Sequence, residues 1–193
     1  MEHKINIAVF ASTKGSDLQA IINAQKAGEL GQAELKFVLS DKKDCYALER
    51  AKQGGIKTYF IDPTGKSREE FDEECLKVCQ AEQIDYIFLI GYMRIISQVL
   101  IQPYQNKIIN IHPSLLPKYG GGMDLNVHEE VLKNKEKETG CTLHYVSEKV
   151  DEGEIILKEK VSIEPGETPE SLKTKVQQKE QELILRYLKS LKK

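Results

Sequence analysis

The sequence has no tryptophan, and its 193 residues include only four cysteines and three methionines. Four cysteines in a chain of this length do not form the dense disulfide framework of a small secreted domain, so we expect reduced thiols. No apolar stretch reaches the roughly 18 residues that a membrane span needs. The N-terminus also lacks the basic and apolar regions of a signal peptide. We therefore predict a cytoplasmic protein with no membrane partner.

An excess of charge of either sign is missing as well. The chain has 30 acidic and 28 basic residues, which gives a net charge of −2. Because no tract of about five or six like charges occurs, we expect no nucleic-acid partner. Apolar residues make up 40% of the chain, and with the glycines they reach the usual share of a globular protein. The length suits one domain, which we predict over residues 1–193.

Short apolar runs alternate with helical patterns along most of the chain. Strand-like runs occur at 5–11, 34–39, 57–60, 86–90, 107–111, 142–146 and 155–163. Helical spacing separates the earlier runs, as at 46–53, whereas a short turn joins the last two and an amphipathic helix follows over 169–193. This order is typical of a parallel sheet with right-handed crossovers. We predict an α/β fold with a Rossmann-like, mostly parallel open sheet, helices on both faces and a C-terminal antiparallel extension.

The clearest helical pattern carries two of the four cysteines. Phe71, Cys75 and Cys79 are spaced for one helix face, and Ser67 with Glu70 forms a capping-box pattern before them. Because no second pair of ligands accompanies the two cysteines, we interpret them as core thiols and expect no metal.

The turn after the first strand is a candidate anion site. In an open parallel sheet, ligands bind beyond the carboxyl ends of the strands. Gly15 permits close backbone approach, and the start of the next helix, with Lys14 nearby, suits a phosphate. The turn has neither the G-x-G-x-x-G nor the Walker pattern. A turn glycine followed by Ser16 or Asp17 as a helix cap explains the same residues.

A second candidate site ends the isoleucine-rich strand at 107–111. Asn110 and His112 alternate along the chain, so a strand would place both on one side. Asparagine can stabilise an oxyanion, and histidine can move a proton near neutral pH. Asp151, in the turn between the two late strands, could orient His112 and raise its pKa. His144, in a strand, carries less weight than these three.

These motifs resemble the folate-dependent formyltransferase family, and within it the phosphoribosylglycinamide formyltransferases of purine biosynthesis. The similarity follows the chain in order through 15–21, 48–51, 67–69, 91–95 and 110–119 to Asp151 and Gly153. The ten residues at 110–119, Asn-Ile-His-Pro-Ser-Leu-Leu-Pro-Lys-Tyr, are highly specific to this superfamily. The resemblance implies the formyltransferase fold and transfer of a formyl group from 10-formyltetrahydrofolate to the primary amine of glycinamide ribonucleotide.

The resemblance also implies roles for individual residues. Asn110, His112 and Asp151, here called the catalytic trio, would stabilise and protonate a tetrahedral intermediate, with His112 protonated and no covalent enzyme intermediate or metal. Glycinamide ribonucleotide would contact Gly15, Ser16, Asp17 and Glu180. Formyl folate, the co-substrate, would contact Arg68, Met93, Arg94, Ile95, Ile96, Asn110, Ser147, Glu148, Lys149, Val150 and Asp151. The side chains of Met93, Ile95 and Ile96 could instead be core residues.

Two segments differ from the usual family pattern. Thr13 replaces a glycine and Asp17 replaces an asparagine in the first turn, and the loop after Tyr119 has three glycines at 120–122. A formyltransferase acting on a sugar nucleotide amine remains an alternative, as does a noncatalytic folate- or nucleotide-binding module. We do not expect a formyltetrahydrofolate deformylase or a methionyl-tRNA formyltransferase, because each has an added domain. The expected partners are small molecules, and the sequence leaves monomer and homodimer open.

Overall fold

The computed structural model describes residues 4–122 and 125–192, and within these the chain forms seven strands and six helices. The strands are β1 (Ile5–Phe10), β2 (Ala33–Ser40), β3 (Lys57–Phe60), β4 (Tyr86–Leu89), β5 (Ile108–His112), β6 (Glu138–Tyr145) and β7 (Ile155–Ser162). The helices are α1 (Ser16–Lys26), α2 (Tyr46–Gln53), α3 (Arg68–Ala81), α4 (Gln98–Ile101), α5 (Leu125–Lys133) and α6 (Pro169–Ser190).

The strands form one sheet in the order β3-β2-β1-β4-β5-β6-β7. Strand β1 pairs in parallel with β2 and β4, and β2 pairs in parallel with β3. Strands β6 and β7 form an antiparallel pair. The predicted α/β class, with a mostly parallel open sheet and an antiparallel C-terminal extension, is therefore confirmed.

The chain forms two compact units. The first unit ends at Ile109 and also takes in the C-terminal segment from Leu185, and the second unit runs from Asn110 to Ile184. The expectation of one domain over 1–193 stays a prediction, and residues 1–3, 123, 124 and 193 lie outside the described residues. No described helix has both the length and the apolar character needed to cross a membrane.

In the first unit, β1 is covered on both faces. Its residues from Ile7 to Phe10 are fully buried, as expected of a central parallel strand. The predicted capping box is also present, because Ser67 and Glu70 each bind the other's backbone amide with a side-chain oxygen. Cys75 and Cys79 are completely buried, and burial raises the pKa of Cys79 to about 12. Both cysteines are core thiols, as predicted.

In the second unit, the β6–β7 hairpin depends on a close backbone approach. A Cβ atom at Gly140 would lie 1.9 Å from the carbonyl oxygen of Glu159, so only glycine fits at this position. Strand β6 also holds the segment that follows β5 through Thr142. The hydroxyl of Thr142 donates to the carbonyl of Ser114 at 2.7 Å and accepts from the amide of Leu116 at 3.0 Å.

Differences from the predicted elements lie at their ends, and the largest is in β6, which begins at Glu138, four residues before the predicted run. Helix α2 and strand β3 have the predicted bounds, whereas β5 extends one residue further and ends at His112. Helix α4 was not predicted, because four residues make too short a segment to show a helical period. Leu172, Val176 and Leu188 of α6 are buried, which confirms the amphipathic C-terminal helix.

Candidate active site

The end of β5 brings two members of the catalytic trio to the third. The amide nitrogen of Asn110 lies 3.4 Å from Oδ1 of Asp151, and Nδ1 of His112 lies 3.2 Å from Oδ2. Because Asn110 and His112 are two residues apart in a strand, their side chains share one side and reach the same carboxylate. The predicted grouping of these three residues is present in the structure.

Asp151 lies in the turn between β6 and β7. Its φ of 56° is in the left-handed region, which aspartate tolerates better than most residues. Two residues later, a Cβ atom on Gly153 would lie 1.7 Å from the carbonyl oxygen of Tyr145, so the turn can close only with glycine there. A residue of another loop also binds this turn, because the Gly121 amide donates to Oδ2 of Asp151 at 2.8 Å.

His144 is part of the same cluster, although its place in a strand had given it less weight as a predicted site residue. Its Nε2 lies 3.0 Å from the amide nitrogen of Asn110 and 3.5 Å from Oδ1 of Asp151. Its Nδ1 lies 2.9 Å from the carbonyl oxygen of Tyr145, and the side chain is almost fully buried. The sequence held one signal for His144, because it is an ionisable residue within a strand of otherwise buried small and apolar side chains.

The ring of His112 lies between two hydrogen-bond acceptors. Nδ1 faces the carboxylate of Asp151, and Nε2 lies 2.9 Å from the carbonyl oxygen of Tyr119. Both oxygens can only accept when Asp151 is ionised, so a proton on each ring nitrogen would satisfy both contacts. A neutral ring can donate to only one of the two oxygens, whereas the protonated ring can donate to both.

Burial and neighbouring groups shift the pKa values of this pair. Burial opposes ionisation of Asp151, but the neighbouring His144, the hydrogen bond from the Gly121 amide and the nearby His112 together hold the pKa of Asp151 below its usual range. Burial lowers the pKa of His112, although Asp151 and the Tyr119 carbonyl act in the raising direction. The effect predicted for Asp151 is present, but burial outweighs it. The pKa of His112 therefore lies below its ordinary value, and a protonated His112 in the tetrahedral intermediate stays a prediction.

In the first unit, the turn before α1 is held through its carbonyl groups. The carbonyl of Thr13 accepts from the Ala47 amide at 3.3 Å and from the Cys45 thiol at 3.0 Å. The carbonyl of Lys14 accepts from Nε of Arg50 at 2.8 Å. These bonds fix the backbone that leads into the helix N-terminus, where the helix dipole favours an anion.

Gly15 is the N-cap of α1, with a φ of 64° and no side-chain cap. The alternative in which Ser16 or Asp17 caps the helix is therefore wrong, because both residues already belong to its first turn. A Cβ atom on Gly15 would lie 2.8 Å from Cβ of Ala47, so glycine is required by both conformation and space.

The segment from Gly91 to Ser97, here called the β4–α4 loop, contacts this turn. A Cβ atom on Gly91 would lie 2.2 Å from Oγ1 of Thr13, and the amide of Met93 donates to the Ser12 hydroxyl at 3.0 Å. The side chains of Met93 and Ile95 are 45% and 55% exposed. The core alternative is therefore wrong for these two residues, whereas Ile96 is buried as that alternative expected.

Asp72 holds the C-terminal end of the β4–α4 loop. It was not predicted as a site residue. Its Oδ2 accepts from the amide of Ser97 at 2.5 Å, and burial raises the pKa of this carboxyl. Arg94 of the loop stacks over the ring of Phe71 at 4.2 Å. Arg68, the first residue of α3, is half exposed and pairs with Glu69. Asp72 was hidden in sequence because it lies among several acidic residues of one helix.

The remaining predicted contacts lie in the second unit. Ser147, Glu148, Lys149 and Val150 form the segment between β6 and Asp151. The Ser147 hydroxyl donates to the carbonyl of Lys149 at 3.0 Å, and Val150 is 52% exposed. Glu180 lies in α6 and is 7% exposed. Among the described residues, no group of three or more His, Cys, Asp or Glu side chains is placed to hold a metal ion.

The sheet and the cluster of Asn110, His112 and Asp151 define a Rossmann-like α/β protein with titratable side chains grouped at the end of β5. The family model described as formyl transferase matches residues 5–188, so the chain belongs to the formyl transferase family.

Curated relatives and a solved structure agree with this assignment. Phosphoribosylglycinamide formyltransferase of Escherichia coli strain K12 is 38% identical over 177 residues, which are 91% of this chain and 82% of that protein. The human trifunctional purine biosynthetic protein adenosine-3 is 38% identical over 182 residues, which are 94% of this chain but 18% of that protein. Glycinamide ribonucleotide transformylase 1 from Symbiobacterium toebii has a TM-score of 0.91 at 35% identity, covering 98% of this chain and 88% of that chain.

Proposed function

We propose that this protein transfers the formyl group of 10-formyltetrahydrofolate to the primary amine of N1-(5-phosphoribosyl)glycinamide, a step of purine biosynthesis. The observation that carries the proposal is the Asp151 carboxylate, which contacts Asn110, His112 and His144 at once. This cluster combines an amide donor with titratable groups, as formyl transfer through a tetrahedral intermediate requires. The similarity to phosphoribosylglycinamide formyltransferases supports this choice of substrates.

The first turn supports a site for the substrate phosphate. Gly15, Ser16 and Asp17 lie at the positive end of α1, in a backbone that Arg50 and α2 hold in place. A fixed helix N-terminus stabilises an anion without reorganising when the anion binds. Glu180 is the proposed contact for the glycinamide end of the same substrate.

Exposed apolar side chains support the proposed contacts with formyl folate. Met93 and Ile95 in the first unit, and Val150 in the second, are large apolar residues with about half of their surface exposed. Each lies in a loop whose backbone is held by hydrogen bonds. The apolar side chains can therefore pack on the flat face of a pterin while backbone groups of the loops bind its polar edge. Arg68 supplies a half-exposed cation suited to the carboxylates of the folate glutamate.

Asn110 is the proposed donor to the developing oxyanion. Its amide nitrogen is 3.0 Å from His144 but 3.4 Å from Asp151. The longer contact is the weaker hydrogen bond, so the formyl oxygen can replace it at little cost while His144 still fixes the amide orientation. The negative charge on the formyl oxygen then develops next to the Asn110 amide, whose orientation is already fixed.

His112 and Asp151 are the proposed proton carriers. As the amine attacks, the new carbon–nitrogen bond forms and the amine nitrogen must lose a proton. When the intermediate collapses, the bond between the formyl carbon and N10 of folate breaks, and N10 gains a proton. A neutral His112 beside an ionised Asp151 can accept the first proton and, once protonated, supply the second. Each turnover leaves the pair in its starting state.

The direct test is substrate-dependent consumption of formyl folate by the purified protein. We expect 10-formyltetrahydrofolate to be consumed only when glycinamide ribonucleotide is present. Consumption without an amine would indicate a hydrolase, and turnover only with an amino sugar nucleotide would indicate the alternative transferase. Binding of folate without turnover would indicate the noncatalytic module. Each of these three results would overturn the proposal.

A further inference from the structure

Tyr119 contacts the proposed catalytic histidine through its backbone. Its carbonyl oxygen lies 2.9 Å from Nε2 of His112. Because a carbonyl oxygen can only accept, the contact is a hydrogen bond when Nε2 carries the proton. Two residues later, the Gly121 amide donates to Oδ2 of Asp151 at 2.8 Å. One short segment therefore contacts both members of the acid–base pair.

The backbone of Tyr119 has a conformation that needs support. Its φ is 60°, in the left-handed region that residues other than glycine and asparagine seldom adopt. The neighbouring residues 120–122 are all glycine, so they have little preference that would hold Tyr119 in this state. Part of the support comes from the Gly122 amide, which donates to the Tyr119 carbonyl at 3.4 Å, and the rest must come from contacts of the Tyr119 side chain.

The phenol of Tyr119 supplies these contacts. Its hydroxyl donates to Oε1 of Glu136 at 3.1 Å and accepts from the side-chain amide of Asn134 at 3.0 Å. Lys118 donates to the same Glu136 oxygen at 2.9 Å. The hydrogen bonds from Lys118 and Tyr119 hold the pKa of Glu136 below its usual range, so the acceptor is ionised at neutral pH. Hydrogen bonds to an ionised acceptor are stronger than neutral ones.

We propose that Tyr119 is a positioning residue for His112, because its phenol, bound to Glu136 and Asn134, holds its carbonyl against Nε2. This inference rests on the proposed function of His112. The carbonyl fixes the ring in the orientation that directs Nδ1 to Asp151. It also favours the protonated ring, which the reaction passes through between its two proton transfers.

The groups that face His112 give the proposal a measurable consequence. The Asp151 carboxylate and the Tyr119 carbonyl favour the protonated ring, whereas burial and the nearby His144 disfavour it. If the phenol no longer holds the carbonyl in place, one of the groups that raise the His112 pKa is weakened, whereas burial and His144 still lower it. The pKa of His112 must then fall, although Asp151 and His144 are unchanged.

The experiment compares Tyr119→Phe with the matched control Lys118→Met. The control removes the other bond to Glu136 and leaves the phenol in place. The pKa of His112 is measured by NMR titration of the imidazole in the full-length protein, with the resonance assigned by its loss in His112→Gln. We expect Tyr119→Phe to lower this pKa by about half a unit and kcat by about threefold to tenfold, with both KM values within about twofold of wild type. We expect no change in Lys118→Met.

Two variants of Glu136 separate positioning from general damage to the fold. Glu136→Gln keeps an acceptor for the phenol and should retain the wild-type titration, whereas Glu136→Ala should reproduce the effect of Tyr119→Phe. Glu136→Ala also serves as the test if Tyr119→Phe does not fold. An unchanged His112 pKa in folded Tyr119→Phe or Glu136→Ala would overturn the proposal. The titration needs no substrate, so a failure of formyl transfer in wild type would count against the proposed function alone.

Discussion

The carboxylate of Asp151 lies 3.2 Å from Nδ1 of His112, and the two side chains are only 9% and 4% exposed. At this separation a proton on either residue lowers the proton affinity of the other. The second carboxylate oxygen faces Asn110 and His144. Asp151 therefore connects the proposed proton carrier with the proposed oxyanion donor.

Replacing Asp151 by asparagine tests this connection. The amide keeps the shape of the side chain but cannot carry the charge that favours a protonated His112, so we expect kcat to fall by at least about 10²-fold. The measurement is formyl transfer to glycinamide ribonucleotide at saturating formyl folate. The matched control is Glu152→Gln, an exposed neighbour, which should keep wild-type turnover. Turnover of Asp151→Asn within a few fold of wild type would contradict the role of Asp151.

The pKa shift of His112 predicts a loss of stability in mild acid. Its folded pKa lies below the ordinary value of 6.5, so the unfolded chain takes up this proton first as the pH falls. The free energy of unfolding should therefore decrease as the pH drops below about 6.5, and His112→Gln should lose less over that range. The contribution of Asp151 has the same sign but falls in a lower pH range. It is present above the ordinary pKa of 3.8 and is lost only at lower pH.

Urea titrations between about pH 7 and pH 5 separate the two effects, because the Asp151 contribution stays constant there. Wild type and His112→Gln are compared at each pH. Parallel curves for the two proteins would show that the His112 pKa does not differ between the folded and unfolded states.

Much of the fold could be predicted because strand and helix periods are strong in this chain. The apolar run at 5–11 predicted the buried strand β1, and the capping-box pattern of Ser67 and Glu70 predicted the start of helix α3. The four-residue helix α4 could not be predicted in this way. Its start is fixed by the bond from the Ser97 amide to Asp72, a contact across 25 residues that leaves no periodic signal.

The proximity of Asn110 and His112 could also be predicted, because alternation along β5 places both on one side, whereas the catalytic role of these residues and Asp151 is implied by the resemblance. His144 and Asp72 were not predicted as site residues, since each acts through partners that are distant in sequence. Asp151 raises the pKa of His112 as predicted, but burial lowers this pKa by more. A neighbouring carboxylate can be recognised in a sequence, whereas the degree of burial that outweighs it depends on the folded structure.

Replacing His144 by phenylalanine tests whether it orients Asn110. Phenylalanine fills a similar volume but cannot accept a hydrogen bond, so the Asn110 amide loses its 3.0 Å partner. We expect kcat to fall roughly tenfold, because the oxyanion donor is no longer aimed before the reaction. The KM for glycinamide ribonucleotide should change little. Steady-state kinetics with each substrate varied in turn gives both values, and a change confined to KM would contradict this role.

The contact between Gly91 and Thr13 predicts a mutation that can be rescued. In Gly91→Ala, the new methyl group would lie 2.2 Å from Oγ1 of Thr13, and alanine would have to adopt the glycine φ of 57°. We expect a loss of about 2 kcal/mol in unfolding free energy, from the clash together with the backbone strain. Adding Thr13→Gly removes the clash but not the strain, so the double variant should recover about half of the loss. Chemical denaturation of the two single variants and the double variant measures this coupling. Strictly additive effects would show that Thr13 does not restrict the residue at position 91.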